Sequence, residues 1–305
     1  ENYSPRVMPQ FGLADTDLHA INPDLIMVTM PGYGRTGPAR DWVAYGSCLD
    51  SHGALTMLTG YADDHPWKGG VAWPDPIAGL HAVVATLIAV WDRAAGLTRG
   101  QTIEVPQFET LVNAVGDQVL AAQLGSSTEP LGGRHPTEAP HGVYRCMGTD
   151  KWVSLGVCSQ AEWVAVVDLI AGPEDWKTWS VTDRQAHHDE IDAAITAWTV
   201  SHDHVLAMYR FQEMGVAAGA VLDAAGVRAD PQLNSRALLQ TFDQPDVGSV
   251  TLPRTPIRFN GRFPDVGPAP GLGQHNDEIL AEGGFDAPDR ERLRSLAVVT
   301  DEPPG

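Results

Sequence analysis

Cysteine is scarce: only Cys48, Cys146 and Cys158 occur in 305 residues. An odd count with no C-x-x-C supports neither a disulfide framework nor a zinc ribbon, and it suits a reducing, cytoplasmic setting. Basic residues are also short, with 20 Lys and Arg against 39 Asp and Glu and a formal net charge of −19. Phosphate backbones and anionic lipid headgroups repel such a polyanion, which excludes nucleic-acid and membrane-surface partners but leaves room for a local basic pocket. No stretch reaches 18 consecutive apolar residues, which argues against a transmembrane helix. The opening ENYSPRVMPQ has no basic-then-apolar leader pattern and no initiator Met.

What is present is a globular composition, 43% apolar and 19% charged, long enough for about two domains. Asp24–Met30 is a short apolar run ended by Pro31-Gly32 and reads as a buried strand. Ile77, Leu80, Val84, Leu87, Ile88 and Trp91 recur at helical spacing, with Asp75 as N-cap and Pro76 in the first turn. Small residues (Ala78, Gly79, Ala82, Ala85, Ala89) fill the rest of that helix surface, so other backbone can approach it closely. Thr102–Val105 reads as a strand and Phe108–Leu124 as a second long helix. This alternation defines an α/β domain over 1–127.

Ser126–Pro140 is rich in turn residues and aperiodic, and 128–140 is assigned as a linker. Two adjacent strands, Gly142–Cys146 and Trp152–Val157, then lead into helices near 160–171, 187–200 and 203–214, a smaller α+β domain over 141–251. A Pro- and Gly-rich linker, 252–273, precedes a helical tail over 274–305. No internal repeat is present.

Several motifs are weak. Gly32-Tyr33-Gly34-Arg35-Thr36-Gly37 spells G-x-G-x-x-G after a strand, but Pro38 follows where a dinucleotide site needs a helix to open. Arg35 and the loop N–H groups remain available to an anion. His187-His188-Asp189-Glu190 and His202-Asp203-His204 lack a metal-ligand spacing, and no metal is expected. Asp75 admits two readings: a plain helix cap, or a carboxylate kept ionised at a helix N-terminus and ready as a nucleophile.

Taken together in order, the motifs resemble CoA-transferase family III, the formyl-CoA transferase and carnitine CoA-transferase (CaiB/BaiF-type) group. They are Asn22-Pro23-Asp24-Leu25-Ile26, Gly32–Pro38, Arg99–Val105, Val216–Leu222, Asp230-Pro231-Gln232-Leu233 and Leu272–Leu280. The resemblance implies a Rossmann-like large domain, a smaller α+β domain inserted into it, and a C-terminal segment returning to the first. It also implies an interlocked homodimer, with a partner chain in a heteromeric enzyme as an alternative. Coenzyme A enters as acyl-CoA substrate together with an organic carboxylate.

By the same resemblance Asp75 is the catalytic aspartate and Tyr45 the active-site tyrosine. Asn2 and Tyr3 match the step that contacts CoA, and Gln10 stands where that family has a CoA-contacting arginine. Val43 replaces a lysine, and Arg134–Pro140 replaces a glycine loop over the active site. Both changes point away from a formyl or oxalyl substrate. Trp42, Trp67 and Trp73 read either as an apolar acyl pocket or as core. Family members begin roughly 90 residues earlier, about two βαβ-sized blocks, so a preceding segment is expected elsewhere. The α-methylacyl-CoA racemases are the enzymatic alternative, but their base histidine falls on Ala44 and their further glutamate near Ser159.

Overall fold

The computed structural model describes residues 1–61, 64–125 and 129–301. They group into two compact units, Glu1–Ala220 and Val221–Gly305, so residues on both sides of the 128–140 connection share the first unit.

In the first unit two short helices, α1 (Val7–Gln10) and α2 (Asp15–Ile21), precede strand β1 (Ile26–Thr29). Helices α3 (Gly46–His52), α4 (Leu55–Leu58) and α5 (Pro74–Ala94) follow, then β2 (Gln101–Glu104), α6 (Gln107–Ala114) and α7 (Gly116–Gln123). β1 and β2 pair in parallel, with Ile26 opposite Gln101 and Thr29 opposite Glu104, so α5 is the crossover of a β-α-β unit. Ala78 and Ala82 pack with Val105 against Val28, Met30 and Ile103. The face of α5 that meets the sheet is therefore the alanine face, which permits close approach.

The large apolar stripe of α5 turns outward: Leu80 is 70%, Leu87 63% and Trp91 74% exposed. By length and composition alone, its 21 residues are also enough to cross a membrane, although no uninterrupted apolar run is present. The helix expected over Phe108–Leu124 is two helices. Val115 leaves helical geometry (φ −107°, ψ 24°), and Gly116, a weak helix former, follows it.

Beyond residue 140 the same unit holds β3 (His141–Arg145), β4 (Trp152–Gly156), α8 (Gln160–Leu169), α9 (Val181–Ala186), α10 (His188–Thr199), α11 (His204–Glu213) and β5 (Ala217–Val221). β3 and β4 are antiparallel, β4 also pairs with β5, and the helices bury Trp163, Ile191, Ile195 and Phe211 against them. This is the α+β arrangement expected from the order of strands and helices.

The second unit contains α12 (Ala224–Ala229), α13 (Pro231–Ser235), a hairpin of β6 (Leu239–Gln244) and β7 (Gly248–Pro253), and the tail helices α14 (Asn276–Glu282) and α15 (Ala287–Ser295). The hairpin turn uses Asp246 and Gly248 at positive φ, the conformations a tight reversal requires. The expected 252–273 linker therefore begins on the last two residues of β7.

Candidate active site

Helix α5 starts two residues earlier than the sequence suggests. Pro74 occupies its first position, where a missing N–H costs nothing, and Trp73 is the N-cap. Asp75 consequently does not cap. It lies in the first turn, exposed, where the helix dipole favours a negative charge. Its carboxylate rests on Gly46: a Cβ built there would lie 2.7 Å from Asp75 Oδ2 and 2.4 Å from the Ala72 Cβ. Only a glycine lets the start of α3 and the start of α5 approach so closely.

Tyr45, the N-cap residue of α3, is 73% exposed. It lines a cavity of about 250 Å³ together with Asn2, Tyr3, Arg6, Tyr33, Arg40 and Trp42. The first residues reach this place because Glu1 runs beside β1, its backbone nitrogen donating to the Val28 carbonyl (2.9 Å) and its carbonyl accepting from the Met30 N–H (2.9 Å). Asn2, Tyr3 and Tyr45 are thus brought together, with Asp75 behind the residue that follows Tyr45. Arg6 and Arg40 bring positive charge to this cavity, although Asp41, also on its wall, pairs with Arg40 (3.1 Å); motif comparison had not singled out either arginine.

Arg35 stands apart. Its guanidinium forms a bidentate pair with Asp15 (2.9 and 3.1 Å), and it borders a smaller hollow with Glu1, Tyr3 and Asp15. The hydrogen bonds from Arg35 hold the Asp15 carboxyl below the usual carboxylate range. Gln10, at the end of α1, lines neither cavity. The glycine-rich loop opens no helix, as Pro38 suggested. Gly32 is needed because a Cβ there would sit 2.3 Å from the Ala44 Cβ.

Behind the cavity wall, Tyr33, Trp42, His52 and Phe108 pack ring to ring, with Tyr33 to Phe108 at 5.4 Å and His52 to Phe108 at 4.8 Å. Trp42, Trp67 and Trp73 are about half exposed rather than core, and of the three only Trp42 lines the cavity. The 134–140 loop borders a different hollow, with His141, Ser154 and Cys158, and Arg134 is paired with Asp189. Ser159 caps α8 by accepting the Glu162 N–H at 3.2 Å. Among the described residues no three His, Cys, Asp or Glu side chains cluster as a metal site.

Asp50 carries no sequence signal. It lies one turn beyond Gly46 on α3 and is 1% exposed. Its Oδ1 has no partner. Burial pushes its carboxyl up, Lys68 and the Trp73 N–H oppose the rise, and the neighbouring Asp75 charge adds to it.

The β-α-β unit thus delivers an exposed carboxylate next to an aromatic-lined cavity that carries two arginines. The chain belongs to CoA-transferase family III, whose description matches residues 1–276. It is 29% identical over 289 residues to the succinyl-CoA–D-citramalate CoA-transferase of Chloroflexus aurantiacus, covering 92% of this chain and 71% of that protein. It is 27% identical to the formyl-CoA:oxalate CoA-transferase of Rhodopseudomonas palustris, covering 92% and 72%. The crystal structure of a CaiB/BaiF family protein from Brucella suis superposes with a TM-score of 0.80 at 27% identity, covering 92% of this chain and 74% of that one.

Proposed function

We propose that this protein moves CoA between an acyl-CoA and a small organic carboxylate, with Asp75 as nucleophile. The placement of the Asp75 carboxylate on Gly46, next to the cavity lined by Tyr45, Asn2 and Tyr3, carries the proposal. The Asp75 carboxylate attacks the thioester carbonyl and expels CoA thiolate, leaving a mixed anhydride. The thiolate then attacks the aspartyl carbonyl, forming an aspartyl-CoA thioester and releasing the donor's carboxylate. The acceptor carboxylate attacks that thioester, regenerating an anhydride and the thiolate. Attack of the thiolate on the acceptor's carbonyl yields the new acyl-CoA and restores Asp75.

Tyr45 orients the reacting carboxylates, and Arg6 complements CoA phosphates. Arg35 serves the fold through Asp15 rather than the ligand. A two-base racemase is disfavoured by Ala44, which has no proton to exchange. The enzyme works as an interlocked dimer. An exposed apolar surface like that of α5 is the kind an assembly covers.

Asp75→Asn is the test. The amide keeps the size of the side chain but is a far poorer nucleophile, so transfer should fall by at least about a thousandfold with the melting temperature little changed. Near-normal transfer would overturn the assignment.

A further inference from the structure

Residues 231–264 carry four arginines (236, 254, 258 and 262) and only two acids, Asp243 and Asp246, in a chain with 39 acidic and 20 basic side chains. The fold sets those two acids apart from the arginines. Asp243 and Asp246 lie beside and within the β6–β7 turn, whereas the Arg254 N–H donates to the Leu238 carbonyl (2.9 Å) at the open end, roughly 14 Å away along the strands. An Asn260-Gly261 turn, both residues at positive φ, pairs Phe259 with Arg262 and so brings Phe263 back opposite Arg258. The Arg258 and Arg254 guanidiniums both lie over the Phe263 ring, 4.1 and 5.3 Å from its centroid. Arg258 also donates to the Arg236 carbonyl. Arg236, Arg258 and Phe263 line a hollow of about 110 Å³ with Leu233, Leu238 and Pro256. Every residue of this cluster belongs to the second unit, and none lines the Tyr45 cavity.

Among the described residues, Arg236, Arg254 and Arg258 have no carboxylate partner, whereas Arg290 and Arg294 of the same unit both pair with Asp277. Arg254 Nε is buried without a hydrogen-bond partner. Two like charges over one ring, with a buried donor unmet, are costly unless an anion completes the arrangement. Stacking occupies a guanidinium's face and leaves its in-plane N–H donors to a ligand.

We propose that Arg236, Arg254 and Arg258 form a binding site for a phosphate dianion, carried on a monoester or free. Such a group brings about −1.5 to −2 charge and three acceptor oxygens to a place with three cations and no acid. Arginine forks match those oxygens two at a time. The hollow holds the volume of three or four waters at about 30 Å³ each, room for the phosphate group and not for a molecule that carries it. Two sources share this chemistry, the 3′-phosphate of CoA and inorganic phosphate.

The experiment follows amide hydrogen exchange across 233–263 by peptide mass mapping in the full chain, with inorganic phosphate, CoA and dephospho-CoA as probes. Potassium chloride at matched ionic strength is the control. Phosphate or CoA should slow exchange in this segment saturably, and chloride should not. Arg254→Gln and Arg258→Gln should each raise the concentration for half-protection by at least about tenfold, the loss expected for one hydrogen bond to a charged group. Arg254→Gln leaves the contact of Arg258 with the Arg236 carbonyl in place, so the test stands even if Arg258→Gln fails to fold. Protection by CoA but not by dephospho-CoA makes the 3′-phosphate the source, and protection by inorganic phosphate with none from CoA makes it the free anion; each supports the site. No saturable protection by either, equal protection from chloride, or protection unchanged in folded Arg254→Gln would overturn the proposal. Equal protection by CoA and dephospho-CoA with none from inorganic phosphate would also overturn it, because dephospho-CoA lacks the monoester.

Discussion

Gly100 lies where the chain enters β2, and a single methyl group there should separate the two strands that carry the site. A Cβ at this position would lie 2.3 Å from the Leu25 carbonyl oxygen, 2.6 Å from that of Pro23 and 2.8 Å from the Leu25 nitrogen. The closest ordinary C···O approach is about 3.3 Å, so the two segments must part by roughly 1 Å. All three obstacles are backbone atoms, and no rotamer change relieves them. The displaced segments are joined by the Gly100 N–H to the Pro23 carbonyl (3.0 Å) and the Gln101 N–H to the Leu25 carbonyl (2.9 Å). Arg99 clamps the same junction by a bidentate pair with Asp24 (2.8 and 3.0 Å). Overpacking and the weakening of two hydrogen bonds together cost roughly 2–6 kcal/mol. Urea unfolding followed by tryptophan fluorescence reads this as a lower midpoint at unchanged slope. Gly79→Ala is the control: no atom lies within 4 Å of its added Cβ, and alanine in mid-helix should be neutral or stabilising by up to about 1 kcal/mol. A Gly100→Ala protein within about 0.5 kcal/mol of the wild type would refute the close approach.

Gly46→Ala should act on catalysis more than on stability, since its methyl meets Ala72 and Asp75; a shift of about 1 Å in the carboxylate predicts a loss near a hundredfold in transfer rate. Rates within a few-fold of the wild type would show that the start of α5 yields at no cost. Asp50→Asn should stabilise the protein at pH 7 by on the order of 1 kcal/mol, about 2–4 °C. The sign follows from the raised carboxyl: the stability Asp50 contributes is full below the ordinary value of 3.8 and is lost as pH rises through its higher folded value. The advantage of the amide should therefore vanish in melts near and below pH 3.8, and a gain that persisted there would contradict burial as its cause.

The β-α-β unit was legible because its signals are local: an apolar run, a helical period, and a proline at the helix start. The strand-then-helix order after residue 140 was legible for the same reason. The direction in which α5 faces was not, because a stripe of large apolar residues and a stripe of alanines both satisfy helical spacing. Contact with a thin sheet selects the alanines. Motif resemblance singled out Tyr45, Asn2 and Tyr3, and all three line one cavity. The glycine-rich loop left Arg35 open to an anion, and its guanidinium pairs with Asp15, twenty residues away in sequence. Gly46 left no trace in the sequence, since what it admits depends on where the start of α5 lies. The β6–β7 hairpin did leave one, in Gln244-Pro245-Asp246-Val247-Gly248, a turn sequence between two short alternating strands.

The central claim is that Asp75 becomes covalently joined to CoA. Incubating the wild-type protein with succinyl-CoA, acetyl-CoA and formyl-CoA in turn, quenching in acid and mapping peptides by mass spectrometry tests this directly. The expected result is a CoA adduct on the peptide that contains Asp75, lost on adding an acceptor carboxylate and absent from Asp75→Asn. An adduct on another residue, or transfer of CoA with no adduct on Asp75 under single-turnover conditions, would contradict it.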